Sequence, residues 1–193
     1  MHTPAHLLLG AAVYARPSSP KVNIAALFGA LLPDLSLYLL VAWNVYVLGI
    51  DPNVVFGSYY LSESWQQIFA VDNSFILWGG VFGLALWSKR SWIIAFSGSG
   101  LMHVVTDFLL HNDDARRHLW PLSDWVFHSP VSYWDHNHYG NVFRPIEVLL
   151  CVTLIAVLWR RFHTHWVRGL LLVAGAMQVM PFVVFVLILS KGA

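Results

Sequence analysis

The sequence predicts an all-α fold: a polytopic membrane bundle of about five transmembrane helices plus a short N-terminal helix half a membrane thick. Three observations carry this. The chain is 58% hydrophobic and 11% charged over 193 residues, whereas a soluble domain carries roughly 25% charge to cover its surface. Apolar runs of membrane length recur between short basic turns. Ten Trp add to a composition that argues for an integral membrane protein. Residues 1–193 read as one integral-membrane domain with two outer connectors, 51–73 and 112–141.

Pro4 to Ala15 is the half-length helix, with Thr3 as expected N-cap and Pro4 at the first helical position. A basic, proline-rich break, Arg16 to Lys21, follows. Val22 to Ile50 is the first span, interrupted by Pro33-Asp34, where proline removes a backbone donor. The connector 51–73 is polar and aromatic, with a short helix over Glu63 to Phe69 expected to lie at the interface. Ser74 to Trp87 is the second span and Trp92 to His111 the third. The small residues Ser97-Gly98-Ser99-Gly100 in the third allow a close helix contact. Val142 to Trp159 and Gly169 to Leu189 are the fourth and fifth. Glu147, one turn into the fourth, is expected to pair with Arg144.

Orientation follows from basic residues in short loops. Arg16, Lys21, Lys89, Arg90, Arg160, Arg161 and Arg168 fall on one side, the expected cytoplasmic face of a bacterial inner membrane. Both connectors then face outward. The net charge of +1, without a basic stripe, predicts no nucleic-acid partner. Cys151 lies alone in an apolar run and cannot form an intramolecular disulfide.

The chemistry concentrates in Leu101 to Pro121. His103, Asp107 and His111 recur every four residues and so share one helix face. Ionisable groups in apolar surroundings are costly unless paired or metal-bound. The mixed nitrogen and oxygen donors suit a divalent metal, zinc foremost. By helix rise, His6, Asp34 and His103 lie at one depth, roughly 15–20 Å from the basic rim. Asp107 follows about one turn and His111 about two turns further out. His6, Asp34, His103, Asp107 and His111 are therefore the candidate metal ligands, with Asp107 or Asp34 as ligand or general base. His2 is a weaker candidate at a terminus prone to fraying. Arg116, Arg117 and His118 are candidate substrate-binding residues, the arginines for a phosphate.

The segments MHTPAHLLLG, GALLPDL and GLMHVVTDFLLH followed by LWPLS resemble the YdjM-like membrane-bound metal-dependent hydrolases. More distantly they resemble the zinc-dependent phospholipase C group. The resemblance covers roughly residues 1–40 and 97–125. It implies His6, Asp34, His103 and Asp107 as metal ligands. The family's first outer connector usually carries a His-Arg-x-x-x-His-Ser motif; here it reads WQQIFAVDNS, with Asp72 the one acid that could substitute. The SPVSYWDHNHYG segment, residues 129–140, lies outside the family pattern.

Three functions follow as expectations. The first is a metal-dependent hydrolase acting on a phosphoester or lipid-like substrate from the outer side. The second is a proton- or metal-ion-conducting transporter component. The third is a non-catalytic membrane scaffold derived from the hydrolase fold, which the missing connector histidines keep open.

Overall fold

The computed structural model describes residues 1–191, the stretch 181–191 as helical backbone alone. The helices are α1 (Thr3–Tyr14), α2 (Pro20–Ala42), α3 (Pro52–Val54), α4 (Glu63–Asp72), α5 (Phe75–Ser88), α6 (Ser91–Leu110), α7 (Gly140–Arg161) and α8 (His165–Lys191). α2 runs on into a wider π turn, Trp43–Val47, and a second π turn, Val55–Tyr59, follows α3. No strand occurs among the described residues.

Four stretches among the described residues are long and apolar enough to cross a membrane: Pro20–Val47, Glu63–Ser88, Ser91–Leu110 and Gly140–Arg161. The chain is accordingly a membrane protein. The second of these corrects the sequence reading. A span confined to 74–87 would reach only about 21 Å at 1.5 Å per residue, short of a ~30 Å hydrocarbon core. The structure extends it with α4, joined to α5 across Asn73 and Ser74. α4 packs through one face: its Trp65 and Phe69 are buried with Val55 against Leu37, Leu40 and Val41 of α2. The expected fifth span, 169–189, falls within α8, and its outer half lies outside the residues whose side chains are described.

α6 is the central helix, packed on α1, α2 and α5. The small stripe in its first half makes this possible. A Cβ on Gly29 of α2 would meet the Phe96 carbonyl oxygen of α6 at 1.9 Å, so only glycine permits this approach. Across the bundle, α1 is wedged between α2 and α6 on one side and α7 and α8 on the other. Large apolar side chains such as Leu84, Leu109, Leu149, Val152 and Leu172 face outward, as a lipid-solvated surface requires.

The basic turns gather at one end. Arg161 donates to the carbonyls of Ala12 (2.7 Å) and Ala15 (2.8 Å), capping the end of α1. Lys21 at the start of α2 lies over Trp92 at the start of α6, 4.4 Å from its ring centre. At the opposite end the connector 112–141 folds back onto α6. Ser129 Oγ, Tyr133 N and Ser129 N donate to the carbonyls of Leu109, Leu110 and His111 at 2.7, 3.2 and 3.0 Å. These would otherwise be orphan groups at the helix end. The same connector is tied to α5: Phe75 N donates to the His118 carbonyl (2.8 Å), and the Ser74 hydroxyl donates to that of Trp120.

Candidate metal centre

α1, α2 and α6 bring His6, Asp34 and His103 to one depth. The His6 and His103 rings stack face to face, and His103 Nε2 lies 3.5 Å from Asp34 Oδ1. One turn further along α6, Asp107 reaches back to both histidines. Its Oδ1 is 3.0 Å from His6 Nε2 and its Oδ2 is 3.1 Å from His103 Nε2. His6, His103 and Asp107 are all buried, and their ligand atoms lie within 4.8 Å of one another. This buried cluster could hold a metal ion.

The orientation of His103 makes the donor set specific. Its Nδ1 donates to the Ala30 carbonyl of α2 at 2.7 Å. That assigns the proton to Nδ1, and a neutral ring then presents a bare Nε2 to Asp107 and Asp34. A lone pair facing two carboxylates needs a positive charge between them, either a proton on Nε2 or a cation. A histidine whose far nitrogen is fixed by a backbone carbonyl is the usual arrangement of a metal ligand. The residues present therefore fit a divalent cation with nitrogen and oxygen ligands.

Asp34 and His111 stand one contact outside this group. Asp34 accepts from the Thr3 hydroxyl, which also contacts Tyr38 Oη at 2.6 Å. Thr3 is thus not the N-cap: α1 begins with Thr3 itself and His2 occupies the cap position without a side-chain bond. The threonine is taken by the site instead. His111 bridges two acids, with Nε2 3.3 Å from Asp107 and Nδ1 2.9 Å from Asp114.

The N-terminal segment contributes more than the sequence indicates. The Met1 amine donates to Asp107 Oδ1 at 2.6 Å. His2 N donates to Glu147 Oε1 at 2.7 Å, and its ring Nδ1 lies 3.2 Å from the same oxygen. Gln178 of α8 completes the set at 3.0 Å. Met1, His2 and Thr3 are therefore bound in succession by Asp107, Glu147 and Asp34. The expected pairing of Glu147 with Arg144 gives way to this set; Arg144 donates to the Trp134 carbonyl at 3.3 Å.

A polar pocket of ≈ 130 Å³ reaches the cluster at Asp107 and is lined among others by Asp34, Asn73, His111, Tyr133 and Arg116. A larger groove of ≈ 320 Å³ between α7 and α8 has an almost wholly apolar lining and, among the described residues, no group of metal-ligating residues. Tyr133 comes from the SPVSYWDHNHYG segment, and its ring packs against His2 and His111 at 4.9 and 5.1 Å. Nothing in the sequence pattern singles it out, because its place depends on the connector's fold-back onto α6. Tyr60 lines the pocket from the first connector, and burial pushes its phenol above the ordinary value.

Of the three expected substrate-binding residues, Arg116 alone lines the pocket. Arg117 is turned away and forms a two-pronged bridge to Glu63, both contacts 2.7 Å. His118 is a packing residue, set against Phe75 and Phe108 with Nδ1 2.9 Å from the Arg116 carbonyl. Burial lowers its pKa to about 4. Asp72, the possible replacement for the absent family histidines, does not line the pocket; its neighbour Asn73 does. A second group able to hold a metal, Asp113, Asp135 and His138, lies in the outer connector. There Asp135 is already engaged by His138 Nδ1 at 2.6 Å and by Asn137 N at 2.9 Å.

Comparisons with protein-family models, with curated proteins and with solved structures return no match for this chain.

Proposed function

We propose that this chain is a metal-dependent hydrolase embedded in a bacterial inner membrane. Its metal is zinc, and it acts on a phosphoester or lipid-like substrate entering from the outer side. The observation that carries the reading is the setting of His103: its Nδ1 is held by the Ala30 carbonyl, and its Nε2 faces Asp107 and Asp34 beside a stacked His6. The resemblance to the YdjM-like hydrolases supports the same ligand set. The concentration of basic turns at the far end supports the outward orientation.

His6, His103 and Asp107 would hold the ion, which supplies Lewis acidity and a water of lowered pKa. The chain's own residues supply position and proton handling. Asp34 has the more accessible carboxylate, 20% exposed against 7% for Asp107. It is the group placed to take a proton from a nucleophile in the pocket, while Asp107 serves as ligand. His111, between Asp107 and Asp114, offers a path for that proton toward the mouth. Tyr133 covers the site and limits the entry of bulk water. A transport pathway would need ionisable groups through both halves of the bundle. The intramembrane acids Asp34, Asp72, Asp107 and Glu147 instead gather in the half away from the basic turns.

The deciding experiment is metal analysis of detergent-purified protein with a phosphoesterase assay on micellar and soluble phosphoesters. Near-stoichiometric metal and chelator-sensitive turnover are expected. Wild-type protein that is folded but binds no divalent metal overturns the reading.

A further inference from the structure

The guanidinium of Arg116 is the feature of the pocket left unexplained by the metal cluster. It is 8% exposed, so most of its hydration is gone. One nitrogen, Nη2, donates to the Tyr60 hydroxyl at 2.6 Å. The other, Nη1, is buried with no hydrogen-bond partner among the described residues. A buried cationic donor without an acceptor is costly, and such a vacancy calls for a ligand atom.

The surroundings hold the group in place without consuming it. Its guanidinium carbon lies over the rings of Phe69 and Tyr60, 4.5 and 5.0 Å from their centres. Aromatic faces attract the cation yet accept none of its in-plane hydrogen bonds. Tyr60 accepts from Nη2 through its oxygen, so its own hydroxyl hydrogen remains to be given. Arg116 and Tyr60 both line the pocket that contains Asp107 and His111. Two donors thus share one pocket with Asp107 of the metal cluster.

We infer that Arg116, with Tyr60, is the seat for the phosphate group of the substrate. This rests on the metal-centred reading above, and it assigns the substrate class within it. A tetrahedral oxyanion can place one oxygen on Nη1, a second on the Tyr60 hydroxyl and a third toward the metal cluster. A planar carboxylate has only two oxygens and cannot fill all three positions. Because Asp34, Asp107 and Asp114 also line the pocket, a bound cation would offset their charge and strengthen the hold on an anion. Arg117 takes no part, since Glu63 holds both of its terminal nitrogens.

The test uses full-length protein in detergent, loaded with zinc, with inorganic phosphate as probe in calorimetric titration. Zinc content is read in parallel by mass spectrometry. Arg116→Met is expected to weaken phosphate binding by at least about tenfold while zinc content stays unchanged. Tyr60→Phe keeps the ring under the guanidinium and is expected to weaken binding by a few-fold, which guards against misfolding of the arginine variant. Arg117→Met is expected to bind as wild type. Competition with phosphatidate in mixed micelles and with glycerol phosphate distinguishes the source: the stronger competitor identifies a lipid headgroup or a soluble phosphoester. Acetate should compete poorly.

Wild-type protein that holds zinc but no phosphate overturns the seat and leaves the metal reading standing. Equal phosphate binding by wild type and both variants, or competition by acetate as strong as by phosphate, also overturns it. Arg116-dependent phosphate binding without zinc supports the seat and overturns the hydrolase reading. Loss of both overturns both.

Discussion

The imidazole of His6 lies flat on that of His103, ring centres 3.5 Å apart and planes within 7°. Two cationic rings would repel strongly at this distance in a dry interior. The stack is therefore stable when at most one ring is protonated, the condition that a shared metal imposes on both.

Replacing a ligand should remove the metal before it removes the fold. His103→Ala is expected to reduce bound divalent metal from near one equivalent to background. Asp107→Asn should weaken metal affinity by about tenfold or more, since outer partners alone are worth that much. Inductively coupled plasma mass spectrometry together with far-ultraviolet circular dichroism checks both. Retained metal in His103→Ala would exclude His103 as a ligand.

Glu147 acts at one remove. It is 3% exposed and holds both the backbone and the ring of His2, which sets where Met1 meets Asp107. Glu147→Gln removes the charge while keeping the shape. Its expected effect is faster hydrogen exchange at residues 2–5 and metal affinity lower by about tenfold, with helix content unchanged. Protection identical to wild type would show that the N-terminal segment is held without Glu147.

His118 gives the outer connector an acid-sensitive lock. Its folded pKa, lowered to about 4 by burial, lies below the ordinary histidine value, so the unfolded chain binds the proton more readily. Stability is then full above roughly pH 6.5 and is lost as pH falls through that value toward 4. The loss is on the order of 3 kcal/mol for the region it packs. Thermal midpoints between pH 7 and pH 4.5 should fall more steeply for wild type than for His118→Phe. Parallel curves would remove His118 from the account.

The contact between α2 and α6 should tolerate no added carbon at Gly29. Gly29→Ala places a Cβ against the Phe96 carbonyl, and forced overpacking typically costs about 1–3 kcal/mol. Gly79→Ala, with open space around the added atom, should be neutral or slightly stabilising because alanine favours helix. Unfolding of the two variants in one detergent gives the comparison directly.

What could be read from the residues was what periodicity carries. The four-residue spacing of His103, Asp107 and His111 is a property of one helix, and helix rise places His6 and Asp34 beside it. What could not be read was set by tertiary contacts of side chains. Thr3 has the look of an N-cap, yet a buried acid outcompetes the backbone for its hydroxyl. Arg116 and Arg117 are adjacent and chemically alike. One turns into the pocket because Phe69 and Tyr60 offer it a face, the other outward because Glu63 lies there. Glu147 and Tyr133 gave no spacing signal, since their partners are 145 and 22 residues away in His2 and His111.

The wedge position of α1 has a consequence for assembly. Among the described residues, α7 and α8 make their main helix contacts with each other and with α1. α1 also carries His6, and its leading residues reach Asp107 on α6 and Asp34 on α2. An ion that links His6 to His103 and Asp107 therefore clamps the element on which the two halves of the bundle meet. Occupancy of the centre would add to the stability of the assembled bundle, so loss of the metal would loosen the docking of α7 and α8 on the rest while leaving the helices formed.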